Sequence, residues 1–192
     1  MSTAERIYTA GDILELESRG ESYELVGGRL LETGMSQESN WVGFRIAHLI
    51  QVLLDRERLG WIFTADHPFD LFGDGSSIRK PDVAFLSNAR LPEGPGDTGI
   101  TTAVPDLAVE VVSPNDRVSD LKVKLEEYFS AGISLVWVVH PEVRQILVHI
   151  GGNRTPVVLT ETDTLTGGDV LPGFAVPVAD IFPPRSVGGD AA

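Results

Sequence analysis

An α+β, or mixed α/β, domain whose central sheet is flanked by two main helices is the fold class this 192-residue sequence predicts. Three observations carry the reading. Apolar residues recur at helical spacing over two long stretches, 39–58 and 117–131. Short β-leaning runs bounded by Gly, Pro and Asp surround them. Two apolar runs, 106–112 and 134–139, lie on either side of the second helical stretch, which is the order of a right-handed strand–helix–strand unit with parallel strands.

Taken in order, "TAGDILELESR" (9–19) has a capping threonine ahead of Ile13, Leu14 and Leu16, predicting a short helix. "SYELVGGRLLE" has two β-leaning halves around Gly27-Gly28, a hairpin signal. From Ser39 to about Arg58, Val42, Ile46, Leu49, Ile50, Leu53 and Leu54 mark the longest helix, with Gly60 as its expected stop. Strands are expected at "WIFTA", "PFDLF", "PDVAFLS" and "DLAVEVVS", the last two separated by the turn-forming "LPEGPGDTG". "DRVSDLKVKLEEYFSAG" is the second helix, closed by Gly132. "SLVWVVH", "QILVHI" and "PVVLTE" follow as strands, and then a turn-rich segment. Residues 1–184 are expected to form one domain, and 185–192 a disordered tail.

The chain carries 28 acids against 15 bases, a formal net charge of -13, which argues against a non-specific coat on polyanions and leaves room for a local basic groove. It has no cysteine, so disulfides and thiolate metal sites are excluded. The N-terminus lacks an apolar core like that of a signal peptide, and no run approaches the roughly 18 apolar residues of a membrane span. A cytoplasmic protein without a membrane anchor is the expectation.

The stretch "PDLAVEVVSPNDR" (105–117) sets Glu110 inside an apolar strand. Alternation puts Ala108, Glu110 and Val112 on one face and Leu107, Val109 and Val111 on the other. A buried carboxylate must be neutralised, either by an arginine at the strand's end or by a bound cation. Asp106 shares Glu110's face but lies about 13 Å along the strand, too far to share an ion with it. Asp82, in Pro81-Asp82, the chain's other Pro-Asp dipeptide beside Pro105-Asp106, belongs to another strand. If the two strands pair, Asp82 and Glu110 come within ligating reach of one hard divalent ion; otherwise Asp82 is a turn residue at the start of its strand. The position two residues beyond Glu110, where a lysine would assist phosphoryl chemistry, is Val112. On the following helix, Val118, Leu121, Leu125, Tyr128 and Phe129 form the expected buried stripe, with Lys122 and Lys124 on its two flanks. Periodicity does not choose between these lysines, and each could equally pair with nearby acids on the helix surface. The four histidines have no metal-ligand spacing, and phosphate-loop and nucleophile-elbow glycines are missing.

"RKPDVAFLS", "PDLAVEVVSPNDR", "DLKVKLEEYFSAGISLVWVVHP" and "YELVGGRLLE" together resemble the Uma family of the restriction-endonuclease-like PD-(D/E)XK superfamily, over about residues 8 to 183. The resemblance implies a restriction-endonuclease-like core and a phosphodiesterase site dependent on Mg2+, with Mn2+ as a substitute. It assigns Asp82 and Glu110 as catalytic metal ligands, Lys124 as the catalytic lysine moved from the strand to the helix, and Glu24 as a further ligand or water contact. It also implies a nucleic-acid substrate, DNA first, and a homodimer by analogy with enzymes that cut two strands. Where relatives carry a histidine near the start of the long helix, this chain reads "QESNW". The alternative is a non-catalytic binding or assembly protein that retains the fold.

Overall fold

The structure is a computed structural model that describes residues 6–185 apart from 33–35, 98, 115, 152 and 154. Helix α1 (Ala10–Ser18) begins at Thr9, whose side chain accepts from the Asp12 amide while Asp12 accepts from the Thr9 amide, a reciprocal cap. Strands β1 (Tyr23–Val26) and β2 (Arg29–Glu32) form the expected hairpin. Its two-residue turn needs positive φ at both positions, and Gly27 (54°) and Gly28 (80°) supply it.

Helix α2 (Gln37–Glu57) buries Val42, Ile46, Ile50 and Leu54, as the spacing requires. Gly60 does not close it. Arg58 does, at φ 48°. Gly60 instead opens β3 (Gly60–Thr64), where a Cβ would lie 2.0 Å from the Leu86 carbonyl oxygen, so no larger residue fits against the neighbouring strand.

Strands β4 (Phe69–Asp70), β5 (Ser77–Arg79), β6 (Val83–Ser87) and β7 (Leu107–Val111) follow. Helix α3 (Val118–Ala131) closes at Gly132 with φ 91°. Then come β8 (Leu135–His140), β9 (Gln145–Ile150) and β10 (Val157–Leu159). Val118, expected in the buried stripe of α3, is 72% exposed; it sits in the first turn, ahead of the part of the helix that packs.

The stretch read as turn-rich is more ordered than that. It holds β11 (Thr164–Gly167), β12 (Leu171–Pro177) and a 3-10 turn at Val178–Ile181. Leu165, Leu171, Phe174, Val178 and Ile181 join the core beside α2, and Phe174 stacks on Trp137 with ring centroids 5.5 Å apart. Of the tail expected to be disordered, Arg185 is placed and pairs with Glu161, whereas 186–192 lie outside the described residues.

The larger sheet runs β10-β9-β8-β7-β6-β3, with β7 and β8 parallel across α3 and its other neighbours antiparallel, so the sheet is mixed. One face packs Val83, Phe85, Leu107 and Val109 against α2, and the other packs Ala84, Leu86, Ala108 and Val136 against α3. A second sheet, β2-β1-β5-β4, carries Glu24 and Arg79.

Candidate active site

Strand register brings the acids together. β6 and β7 pair as Val83↔Val109, Ala84↔Ala108 and Phe85↔Leu107, and one step further along the same antiparallel register sets Asp82 opposite Glu110. The Asp82 Oδ2 accepts the Val111 amide at 2.6 Å, locking that end of the ladder. Its other oxygen takes no hydrogen bond among the described residues. Asp106 points elsewhere: its Oδ2 accepts the Ser87 amide (2.7 Å) and its Oδ1 pairs with Arg90 Nε (2.8 Å).

Glu110 is 7% exposed and has both oxygens engaged from α3. Lys124 Nζ donates to Oε2 at 2.8 Å and the Tyr128 hydroxyl donates to Oε1 at 2.5 Å. Residues four apart share a helix face, so one turn of α3 supplies both donors. The two lysines are thereby separated: Lys124 lies partly buried in the site, while Lys122 is exposed.

Glu24 is buried rather than solvated, although it lies in a hairpin. β1 pairs with β5 as Leu25↔Ile78, and the next step of that register sets Glu24 opposite Arg79. Arg79 Nη1 donates to Glu24 Oε2 (3.0 Å), and Oε1 receives the Lys80 amide (2.9 Å) and Lys124 Nζ (2.9 Å). Arg79 Nε in turn donates to Glu127 Oε2 (2.7 Å), which also accepts Ser77 Oγ (2.8 Å). The Lys124 ammonium therefore bridges acids from both sheets, hydrogen-bonded to Glu110 and ion-paired with Glu24.

The electrostatics divide the carboxylates. Burial, and then the charge of Glu110, pushes Asp82 up to about 7, against the Val111 amide and Lys124. Glu110 is also raised, by burial first and by Glu24, more than Lys124 and Tyr128 offset. Burial pushes Glu24 the same way, but Lys124, Arg79 and the Lys80 amide outweigh it and hold this carboxyl below its usual range. Burial pulls the Lys124 ammonium down, and Glu110 and Glu24 overcome that and hold it above the usual lysine range, so it stays charged. Burial and Glu110 raise the Tyr128 hydroxyl well above its normal value, so it stays a donor.

The donors available suit a hard divalent cation. Asp82 and Glu110 offer carboxylate oxygens, both raised first by burial, and a cation placed between them would favour their charged forms. Among the described residues no three Asp, Glu, His or Cys side chains converge into a ready cage. Two carboxylates with water and phosphate completing the shell is the mode Mg2+ prefers. Arg79, Glu127 and Tyr128 escaped the sequence reading as site residues. An arginine and a glutamate look solvated, and Tyr128 is also a core residue. The spacing of Lys124, Glu127 and Tyr128 on one helical face is the signal that could have linked them.

A family model described as "Uma2: Putative restriction endonuclease" matches residues 10–179. Among solved structures, the chain is similar to one titled "a putative nuclease belonging to DUF820" from Anabaena variabilis ATCC 29413. The TM-score is 0.76 at 16% sequence identity, covering 91% of this chain and 97% of that one, a likeness in fold. No curated protein matches the chain.

Proposed function

The chain belongs to the Uma2 family, and from that premise we propose that it is a metal-dependent endonuclease that hydrolyses phosphodiester bonds, with DNA as its substrate. The observation that carries the reading is the Asp82–Glu110 pair, set opposite each other by strand register beside a partly buried lysine that stays charged. Asp82 and Glu110 would hold Mg2+ or Mn2+, which when bound polarises a phosphoryl oxygen and acidifies its water. Lys124 acts as an electrostatic donor and not as a base, because its two carboxylate partners keep it protonated. An ammonium has three N–H donors, and one that is not given to Glu110 can hold the attacking water or a phosphoryl oxygen. Tyr128 and Lys124 together fix the rotamer of Glu110.

A second reading, a binding protein that keeps the fold without catalysis, is favoured by the charge of -13 and by the engagement of Lys80 and Lys124 in ion pairs, which leaves one of the three lysines exposed. Plasmid nicking separates the two. Nicking by the wild type in Mg2+ or Mn2+, absent with EDTA and absent in Glu110→Gln, supports the nuclease. Equal nicking by wild type and Glu110→Gln, or none by either, supports the non-catalytic reading. Whether two copies assemble to cut both strands follows from the same assay: linear product formed without a nicked intermediate requires paired sites.

A further inference from the structure

Glu24 touches the same ammonium as Glu110, yet its surroundings are those of a group already satisfied. Its Oε2 is held by Arg79 Nη1 at 3.0 Å, and its Oε1 by the Lys80 amide and Lys124 Nζ, both at 2.9 Å. Behind it, Arg79 is 1% exposed and anchored by Glu127, and Glu127 by Ser77. Buried ion pairs are poor stabilisers, since apolar residues of similar volume do as well or better. This one even leaves Arg79 Nη2 buried without a hydrogen-bond partner among the described residues. A costly, incompletely satisfied chain running from Ser77 to Lys124 is explained if it fixes a direction.

We propose that Glu24, Arg79 and Glu127 are positioning residues that aim the Lys124 ammonium at Glu110, and that Glu24 is not a ligand of the divalent ion. This rests on the nuclease reading and goes beyond it, because it removes Glu24 from the metal site and adds two residues that touch neither metal nor substrate. Arg79 occupies Oε2 of Glu24, so only Oε1 faces the lysine. Glu127 fixes the Arg79 guanidinium by its Nε edge, which sets the angle of the Nη1 contact. Lys124 is thus held from two sides by atoms with fixed neighbours, which fixes where its ammonium sits beside Glu110.

The test combines Mn2+ titration calorimetry with a double-mutant cycle on cleavage. In calorimetry, Asp82→Asn should weaken Mn2+ binding at least about tenfold, whereas Glu24→Gln should leave it within about threefold of wild type. In cleavage, Glu24→Gln and Glu127→Gln should lower kcat about tenfold or more with KM for the nucleic acid little changed. In the Lys124→Ala background both should have no further effect, because they act through that lysine. Glu127 lies at the outer end of the chain, 20% exposed at its side chain, so its Gln variant keeps the test alive if Glu24→Gln fails to fold. If Glu24→Gln loses Mn2+ affinity as Asp82→Asn does, or if the losses multiply with Lys124→Ala, this proposal is overturned and the nuclease reading stands. A wild type that neither binds Mn2+ nor cleaves overturns both.

Discussion

On its α2 side the six-stranded sheet packs Val83, Phe85, Leu107 and Val109 on Val42, Ile46, Ile50 and Leu54. On its α3 side the apolar packing of Ala84, Ala108, Val136 and Leu125 is interrupted at one end by Glu110, Lys124 and Tyr128, with Asp82 at the adjacent strand end. Both faces are buried, and alternation along β7 sends Val109 to the first and Glu110 to the second. The difference teaches where this molecule is stable and where it is unsatisfied: the α2 face gains from burial alone, and the α3 face holds acids whose burial is offset only in part.

The largest effect that would sharpen this contrast is on stability. Phe85→Ala, at a fully buried position on the α2 face, should cost about 3 to 5 kcal/mol in urea unfolding, with no special dependence on pH. A loss below about 1 kcal/mol would mean the α2 face is not the main source of stability. Lys124→Ala should reduce phosphodiester cleavage by about 100-fold. It should also destabilise the fold, more at pH 8 than at pH 5, because it strands Glu24 and Glu110 beside each other without their shared cation and protonation relieves them. Cleavage by Lys124→Ala equal to wild type would remove the lysine from the mechanism.

The pH dependence of stability tests the acids themselves. Asp82 is raised from 3.8 to about 7, so between those values the folded protein holds a proton that the unfolded chain has released. Stability in the absence of divalent ions should therefore fall as pH rises from about 4 to about 7 and level off above, by up to about 4 kcal/mol at about 1.4 kcal/mol per unit. Asp82→Asn should flatten that slope. A slope unchanged in the variant would place the titrating group elsewhere. The smallest effect is expected at Lys122, exposed on the opposite flank of α3. Lys122→Ala should leave the cleavage rate within about twofold and reduce the salt slope of nucleic-acid binding by at most about one. A 100-fold loss there would exchange the roles of the two lysines.

The contrast between the faces also marks what the sequence could tell. Apolar spacing located α2 and α3, and alternation assigned the two faces of β7 correctly, because both signals come from the burial that forms the elements. The same signals are weak where local order depends on distant partners. β5 is three residues long and has no period to read, yet its pairing with β1 puts Arg79 against Glu24. β11 and β12 lie among glycines and prolines and are held by Trp137 and α2. Gly60 looked like a helix stop because glycine usually is one, and only the approach of the Leu86 carbonyl shows why it is needed in β3. At the site, the Pro-Asp dipeptides and Glu110 were legible as chemistry. The choice of Lys124 over Lys122 came from the family resemblance and not from periodicity, since a helical wheel gives two equal flanks and the carboxylates that engage Lys124 lie on other elements.

The claim on which the rest depends is that Asp82 and Glu110 together bind a divalent cation, and the most direct measurement of it is the melting temperature as Mg2+ or Mn2+ is added at fixed ionic strength. The account predicts that the wild type melts several degrees higher with about millimolar Mg2+ or Mn2+ than with monovalent salt alone, and that Asp82→Asn loses most of this gain. An identical gain in wild type and Asp82→Asn, or no gain in either, would contradict it.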